Sequence, residues 1–329
     1  MRFALVCPAP PRSRLGNRVT ALRWQSILRA LGHRVTITCE LPTARYDVLV
    51  ALHAFRSAEA VRASRAAHPS RPIVVALTGT DLYRDIRENA DAKRSLALAD
   101  RLVVLHDGGP LALPRAMREK TRVIRQSCEP LRGARTGRAS GSGASRTRAT
   151  FDVALVAHLR PEKDPLRVAH AARLLPPESR VRVVHVGRAL TEAMRHAAED
   201  EMRSNPRYVW RGEVAGADAR RLIARSDVLA LTSIMEGGAN VLGEAIAAGT
   251  PPIATRIPAA LSALGKGYPA LFPVGDTKAL ARLLARAETD ASFMQELRRA
   301  TRARRPLFLP SVELAAWRSL ARELALLLR

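Results

Sequence analysis

The stretch DVLALTSIMEGGANVLGEAIAA, residues 227–248, contains the pattern that decides the fold. Its first seven residues form an apolar run, typical of a strand buried in a parallel sheet. A turn with two adjacent glycines follows, and the apolar spacing over 240–248 predicts a helix. A buried strand, a short turn and a helix make half of a βαβ unit, so we predict a parallel α/β sheet.

The same alternation extends along the 329 residues in both directions. In the first half we predict strands at 3–8, 34–39, 47–53, 72–77, 99–106 and 121–127, with helices near 18–31 and 57–67. In the second half we predict strands at 151–159, 181–187, 208–212, 227–233 and 251–256, with helices near 165–175, 191–203, 217–225, 240–248, 276–287 and 311–327. Each half should therefore form a doubly wound sheet.

A change of composition separates the halves. Residues 132–149 are rich in Gly, Ser and Arg and contain neither an acid nor a large apolar residue, which is typical of a flexible linker; anion binding by their arginines is an alternative. We predict an N-terminal Rossmann-like domain over 1–130, a linker or loop over 131–150, a C-terminal Rossmann-like domain over 151–310 and a terminal helix over 311–329. Packing of that helix against the N-terminal domain stays open.

The net charge is +24, and only five of the 54 basic residues are lysines. A nucleic-acid partner is one interpretation, and the Arg and Ala bias of a GC-rich genome is the other. Because aromatic residues make up only 4% and no binding motif is recognisable, we predict no nucleic-acid partner. The positive field should still favour small anionic ligands.

Cysteine usage and hydropathy restrict the class further. The spacing of Cys7, Cys39 and Cys128 indicates neither a metal site nor a disulfide framework. No apolar segment reaches the roughly 18 residues that a membrane span needs, and the N-terminal apolar run is too short for a signal peptide. There is no Walker loop, Ser/His/Asp order or Asp-x-Asp metal motif. We predict a cytoplasmic protein with no metal and no membrane partner.

Two loops of the second half carry candidate site residues at predicted strand ends, where open α/β sheets bind ligands. Glu236 and Glu244 flank the glycine-rich turn, and a helix that begins near Asn240 would direct its positive end at a phosphate. Carboxylates also accept hydrogen bonds from sugar hydroxyls. A cap followed by a solvent-facing Glu is the alternative.

The second of these loops is HLRPEKDP, residues 158–165. It brings His158, Arg160 and Lys163 to the end of the first strand of the second half. Two cations and an imidazole at a strand end could hold a diphosphate. A basic surface turn is the alternative.

Two loops of the first half complete the set. In LGNRVT, residues 15–20, Gly16 permits a tight turn, Asn17 is a plausible helix cap, and Arg18 could bind an oxyanion at the helix N-terminus; Arg23 is interpreted as solvated. In the second, Thr78, Gly79 and Thr80 add hydroxyl and backbone donors. Capping and a simple turn are the alternatives. We interpret His33, His53, His106 and His185 as mostly structural, with His53 and His106 retained as candidates because they end strands.

With these loops the chain resembles the retaining GT-B glycosyltransferases that carry an E-x7-E motif, since Glu236 and Glu244 have that spacing and HLRPEKDP matches the diphosphate segment. The resemblance implies two Rossmann-like domains facing a central cleft. It implies that Glu236 contacts the donor sugar, Glu244 the ribose and Lys163 the diphosphate, with Arg160 in place of the family's usual Arg, whose position His158 occupies. The donor-binding set would be His158, Gly237, Gly238, Ala239, Asn240, Val241 and Glu244, and the catalytic set Glu236, Lys163 and Arg160.

The strings GNRVTALRW, ALTGTDLYRD, ADRLVVLH and HLRPEKDP further resemble the selenosugar synthases of selenoneine biosynthesis. This implies transfer from a UDP-sugar, such as UDP-N-acetylglucosamine, to selenophosphate with formation of a C–Se bond, and functional coupling to other enzymes of that pathway. The acceptor residues would be Gly16, Asn17, Arg18, Thr20, Thr78, Gly79 and Thr80. A GT-B enzyme with a hydroxyl acceptor, glycan or lipid, is the main alternative, and a non-catalytic nucleotide-sugar binder is another.

Overall fold

The computed structural model describes residues 1–129 and 149–328. The chain divides into two compact units. The first contains Met1–Ser127, Glu236–Gly238 and Pro310–Arg329, and the second contains Cys128–Met235 and Ala239–Leu309. The predicted linker over 131–150 lies outside the described residues, except for its last two positions.

The first unit is built on a six-stranded sheet in the order β2-β1-β3-β4-β5-β6. All its strand pairs are parallel. The strands are β1 (Arg2–Val6), β2 (Arg34–Thr38), β3 (Val48–Leu52), β4 (Ile73–Leu77), β5 (Arg101–Val104) and β6 (Thr121–Val123). The helices are α1 (Gly16–Ala30), α2 (Ala58–Ala67), α3 (Asp85–Glu88), α4 (Ala90–Leu98) and α5 (Arg115–Arg118).

The second unit repeats this plan with the order β12-β11-β10-β7-β8-β9, again all parallel. Its strands are β7 (Phe151–Val156), β8 (Val181–Val186), β9 (Tyr208–Trp210), β10 (Val228–Leu231), β11 (Pro252–Thr255) and β12 (Leu271–Phe272). Its helices are α6 (Arg167–Arg173), α7 (Glu192–Ser204), α8 (Gly216–Arg225), α9 (Asn240–Ala248), α10 (Pro258–Leu264), α11 (Thr277–Thr289) and α12 (Ala291–Ala303). Of the helices in the described ranges, none is both long and apolar enough to cross a membrane.

The predicted doubly wound α/β architecture is confirmed, and aliphatic strands explain it. Every residue of β3 and β4 is buried, because parallel strands are covered by helices on both faces. The prediction missed α4 and α12, although each begins with a cap that the sequence displays. Asn89 accepts hydrogen bonds from the backbone of the first turn of α4, and Asp290 does the same for Phe293 in α12.

The last helix, α13 (Pro310–Leu327), belongs to the first unit. Its Trp317 packs edge-on against Trp24 of α1, with ring centroids 4.8 Å apart. Glu313, 1% exposed, accepts hydrogen bonds from the Trp24 indole (3.1 Å) and from the backbone N–H of Ser127 (2.7 Å). Burial raises the pKa of Glu313, so these donors offset the cost of placing a carboxyl group in the core. The helix therefore completes the core of the first unit.

Each sheet contains a topological switch point, where successive connections leave in opposite directions. In the first sheet it lies between β1 and β3, and in the second between β7 and β10. Loops at the carboxyl ends of such strand pairs diverge and leave a crevice in which α/β proteins bind ligands. The loops after these strands are therefore the places at which to look for a site.

A buried histidine links two strands of the second unit to the loop after β7. His185, 0% exposed, accepts a hydrogen bond from the Tyr208 hydroxyl at Nδ1 (2.7 Å) and donates one to the Ala157 carbonyl from Nε2 (2.8 Å). The neutral ring with its proton on Nε2 satisfies both nitrogens. Burial lowers the pKa of His185 to about 4.

This histidine should make the second unit acid-sensitive. The pKa is near 6.5 in the unfolded chain and about 4 in the fold, so the stabilisation is complete above pH 6.5 and is lost as the pH falls towards 4. Between pH 7.5 and 5 the loss should be about 2 kcal/mol. Denaturant unfolding should show that His185→Gln reduces this pH dependence, whereas the exposed His196→Gln does not. Equal pH dependence in both variants would contradict the assignment.

Candidate functional site

The loop after β7 is held by a glycine that cannot be replaced without movement. Gly187 follows β8 directly and has φ +151°. A Cβ on this residue would lie 1.7 Å from the Ala157 carbonyl oxygen. The hydrogen bond from His185 reaches the same carbonyl. The backbone of Ala157 and His158 is therefore fixed from two directions as it leaves the sheet.

His158 is a hydrogen-bond donor in this loop rather than a cation. Its Nδ1 accepts a hydrogen bond from the backbone N–H of Arg188 (3.1 Å), which places the ring proton on Nε2. Burial lowers the pKa of His158, and the neighbouring Arg160 lowers it further, so the ring is neutral at physiological pH. The fixed positive charges of the loop must then come from Arg160 and Lys163.

Arg160 directly precedes a single 3-10 turn, Pro161–Lys163, and Lys163 is the last residue of that turn. The backbone N–H of Lys163 donates to the Arg160 carbonyl (3.0 Å), so the two residues are held one turn apart. The Nε of Arg160 is buried and has no hydrogen-bond partner among the described residues. A buried guanidinium N–H without an acceptor is costly, which makes Arg160 a good candidate to receive an anionic ligand.

Two hydrogen bonds join this turn to the loop after β10. Thr232 donates through Oγ1 to the Lys163 carbonyl (3.0 Å), and the backbone N–H of Ile234 donates to the Glu162 carbonyl (2.9 Å). The two second-half loops singled out by the sequence therefore meet at the switch point of the second sheet. The chain reaches Glu236, 9% exposed, two residues after Ile234.

Helix α9 begins at Asn240 with an uncapped N-terminus. The preceding Ala239 has a left-handed backbone, φ +46°, and makes no side-chain cap, and the first turn contains no acid. The Asn240 Oδ1 is buried and has no hydrogen-bond partner among the described residues. Glu244 lies four residues later, on the same face of the helix as Asn240. The helix end thus offers backbone N–H groups and partial positive charge, which suit a phosphate.

The two glycines between Glu236 and Ala239 belong by their contacts to the first unit. A Cβ on Gly237 would lie 2.4 Å from the Thr78 carbonyl oxygen, and one on Gly238 would lie 2.7 Å from the Leu105 side chain. Both positions therefore require glycine because of close packing.

In the first unit, the predicted cap on α1 is wrong. The helix begins at Gly16 after Leu15, and Asn17 is its second residue. The Asn17 side chain instead accepts a hydrogen bond from the Thr78 hydroxyl (2.7 Å), which brings two predicted acceptor residues together. Thr20 is 2% exposed, and its hydroxyl accepts a hydrogen bond from the Gln126 amide (2.6 Å). Sequence reasoning missed Gln126.

Arginines near α1 have separate roles. The Nε of Arg18 is buried and has no hydrogen-bond partner among the described residues. The Arg18 charge lies near the Cys7 thiol. Burial raises the pKa of this thiol, and Arg18 offsets part of that increase. Arg23 is structural rather than solvated, because it binds the Ser127 carbonyl and lies 3.8 Å from Glu313. Arg18 is thus the arginine here that can receive a ligand.

The Thr78–Thr80 segment is shaped by Asp81, which is fully buried. Its carboxylate accepts hydrogen bonds from the backbone N–H groups of Gly79 (2.8 Å) and Ala54 (2.9 Å). The N–H of Gly79 is therefore engaged inside the unit, and Thr80 begins a short 3-10 turn, Thr80–Leu82. The hydroxyl of Thr78, which meets Asn17, is the part of this segment tied to α1.

The two histidines retained as candidates lie within internal polar clusters. His53 has φ +77° at the end of β3, and its ring nitrogens lie 3.9 Å from Asp81 and 3.6 Å from Asp85. The Nε2 of His106 is hydrogen-bonded to the Tyr83 hydroxyl (2.8 Å), with the direction set by the tautomer. Burial lowers the pKa of His106 to about 4. Among the residues that the structure describes, no group of three or more His, Cys, Asp or Glu could hold a metal ion.

Comparison with known proteins agrees with this geometry. Residues 148–304 match the family described as Glycosyl transferases group 1. The likeness to this family covers just under half of the 329 residues. The matched segment contains the loops after β7 and β10 and the whole of α9. No curated protein sequence matches the chain.

Solved structures share the fold at low identity. HepE from Anabaena in complex with UDP aligns with TM-score 0.72 and 18% identity over 98% of this chain and 99% of HepE. Sucrose-phosphate synthase from Thermosynechococcus elongatus aligns with TM-score 0.76 and 16% identity over 98% of each chain. The lipopolysaccharide outer core galactosyltransferase WaaB aligns with TM-score 0.67 and 12% identity over 98% of this chain and 99% of WaaB. The chain has the GT-B fold that these structures share.

The Gly187 contact predicts a specific sensitivity. Gly187→Ala places a methyl group on the Ala157 carbonyl and should lower Tm by several degrees, because backbone must move. Gly267→Ala is the matched control, since a Cβ there meets nothing within 4 Å. Thermal unfolding of both variants measures the difference. A Gly187→Ala protein as stable as Gly267→Ala would show that the loop after β7 is not held in this way.

Proposed function

We propose that the protein transfers the sugar of a UDP-sugar, such as UDP-N-acetylglucosamine, to selenophosphate. In this reaction the C1–O bond to UDP breaks, its electron pair leaves with UDP, and selenium forms the new bond to C1. The observation that carries the donor half is the uncapped N-terminus of α9 beside a turn with two fixed cations at a switch point. Similarity to HepE structures in complex with UDP and with UDP-glucose supports the same class of donor.

The donor residues have distinct tasks in this proposal. Arg160 and Lys163 bind the diphosphate, and His158 donates from Nε2 to one of its oxygens. Negative charge grows on the diphosphate as the C1–O bond breaks, so these donors stabilise the transition state more than the ground state. We propose that this charge stabilisation needs no metal ion. Glu236 orients the sugar through its hydroxyls, and Glu244 holds the ribose.

The acceptor half rests on the first unit. Selenophosphate is small and multiply charged, so it needs several polar donors rather than an apolar groove. The N-terminus of α1, with Arg18 and the Asn17–Thr78 pair, supplies them at fixed positions. Selenium in this anion is already nucleophilic, so the proposed site needs no strong general base. The cytoplasm is the proposed location, with other enzymes of selenoneine biosynthesis as functional partners.

One observation favours a second candidate, transfer to the hydroxyl of a lipid. Val19 and Leu22 of α1 are 42% and 45% exposed and lie three residues apart on one face of a basic helix. Exposed apolar residues on a basic amphipathic helix are typical of membrane-surface contact. This candidate shares the donor residues and differs only in the acceptor.

Product analysis separates these candidates. Purified protein is incubated anaerobically in EDTA with UDP-N-acetylglucosamine and selenophosphate, and the products are identified by mass spectrometry. We expect UDP and a sugar whose mass contains selenium. Turnover only with a hydroxyl acceptor would reject selenophosphate as the acceptor but would still support a glycosyltransferase. Turnover only after addition of Mg²⁺ or Mn²⁺ would reject the proposal that the reaction needs no metal ion.

The two carboxylates should separate in their kinetic effects. Glu236→Gln should lower kcat by about 100-fold, because the sugar carbon is no longer held for attack. Glu244→Gln should mainly weaken UDP binding, by about tenfold for one charged hydrogen bond. Steady-state kinetics and calorimetry with UDP measure both, and Glu192→Gln on α7 is the exposed control. Wild-type behaviour of both variants would reject the E-x7-E assignment.

A further inference from the structure

Cys7 and Cys39, 32 residues apart in sequence, meet at the ends of neighbouring strands. Cys7 directly follows β1, and Cys39 directly follows β2. The register pairs Val6 with Thr38, the last residues of these strands. The backbone N–H of Cys7 donates to the Thr38 carbonyl (2.8 Å), which continues the parallel pattern by one residue. Cys7 and Cys39 therefore lie opposite each other, with Cα atoms about 4.8 Å apart, the spacing of neighbouring strands.

Both side chains lie on the face of the sheet that α1 covers. Leu5 and its register partner Ile37 belong to the core around Trp24 of α1. Side chains along a strand alternate between the two faces, so the residue two positions later returns to the same face. Cys7 is itself part of that core, and Cys39 has the corresponding position after Ile37. The two thiols are therefore not separated by the sheet.

The two thiols also share one hydrogen-bond acceptor. The Sγ of Cys7 lies 3.7 Å and the Sγ of Cys39 lies 3.9 Å from the Ala9 carbonyl oxygen. A disulfide requires Cα atoms about 4.4–6.8 Å apart and side chains that point towards each other. The strand spacing meets the first condition, and the shared acceptor meets the second. Both cysteines are free thiols in this structure, and the backbone around them permits a bond.

The two thiols differ in accessibility. Cys39 is exposed, whereas Cys7 is 0% exposed. Burial raises the pKa of Cys7, which reduces the share of its reactive thiolate form. An oxidant from solution therefore reaches Cys39 first, and Cys7 can react only with a group that is already beside it.

We propose that Cys7 and Cys39 are a redox-sensitive pair, which a small-molecule disulfide such as glutathione disulfide converts reversibly into an intramolecular disulfide. The Cys39 thiolate attacks one sulfur of glutathione disulfide, whose S–S bond breaks, and one glutathione thiolate leaves. The Cys7 thiolate then attacks the Cys39 sulfur and displaces the second glutathione. The pair is oxidised by two electrons, and the two protons that it loses go to the two glutathione thiolates. This inference does not depend on the acceptor of the proposed reaction.

The position of the pair explains why the disulfide should be reversible. The Cβ atoms of a relaxed disulfide are about 3.8 Å apart, closer than the spacing of about 4.8 Å between strands. Bond formation must therefore draw the ends of β1 and β2 together. It also removes both S–H donors from the carbonyl of Ala9, a buried residue. Both effects oppose the disulfide, so we expect reduced glutathione to break it.

Peptide mapping by mass spectrometry tests the pair in the full chain. Reduced wild-type protein is incubated with glutathione disulfide, its remaining thiols are blocked with iodoacetamide, and it is digested with trypsin. We expect the tryptic peptides 3–12 and 35–45, which contain Cys7 and Cys39, to be joined by a disulfide, with no glutathione retained on either. Excess reduced glutathione, added before the blocking step, should restore both thiols.

Three variants test the order of events. Cys7→Ala should stop at the mixed disulfide and keep one glutathione on Cys39, because nothing displaces it. Cys39→Ser, a change at an exposed side chain, should take up no glutathione at the buried Cys7. Cys128→Ser is the matched control, since Cys128 is also buried but lies in the second unit. It should form the disulfide as fast as the wild type, and circular dichroism checks that each variant is folded.

The outcomes are distinct. A glutathione adduct that persists on Cys39 of the wild type, or free thiols at both positions after treatment, overturns the inference. A disulfide that survives excess reduced glutathione also overturns it, because the pair would then not be reversible. A linked wild type, a trapped adduct in Cys7→Ala and an unreacted Cys7 in Cys39→Ser together support it. None of these results bears on sugar transfer, so failure here leaves the proposed function standing.

Discussion

The loops after β7 and β10 are joined by two hydrogen bonds to backbone carbonyls, from Thr232 to Lys163 and from Ile234 to Glu162. Strands β7 and β10 pair directly, but their connections leave in opposite directions, and these two hydrogen bonds join the loops beyond the strand ends. Both hydrogen bonds are accepted by main-chain carbonyls, those of Glu162 and Lys163. The geometry of the proposed donor-binding residues depends on this junction.

Much of the architecture follows from local sequence, because aliphatic strands and helical spacing are local signals. Runs such as IVVAL (73–77) identify buried parallel strands, and 240–248 was predicted with the bounds that α9 has. The predicted strand over 151–159 is too long, since β7 ends at Val156 although Ala157 and Leu159 are still apolar. Hydropathy records burial, and a buried loop residue such as Leu159 resembles a strand residue.

The candidate site was predictable where motifs carry it and not where tertiary contacts do. The loops that contain Arg160, Lys163 and Glu236 stand out by composition and position. The pairing of Asn17 with Thr78, residues 61 apart in sequence, and of Thr20 with Gln126, 106 apart, depends on how helix and strands come together. The tautomer of His158 likewise depends on a backbone N–H from Arg188, which no sequence pattern displays.

The place of α13 in the first unit has a consequence for biosynthesis. Ribosomes release the chain from its N-terminus, and domains generally fold as they emerge. The core around Trp24 cannot close when residues 1–127 have appeared, because Trp317 and Glu313 are synthesised later. The intervening second unit, continuous in its hydrophobic core from Phe151 to Phe308, has all its residues first. Until residues 310–327 have been synthesised, Trp24 lacks the α13 side chains that cover it in the folded unit, and a chaperone that shields exposed apolar surface would act in this interval.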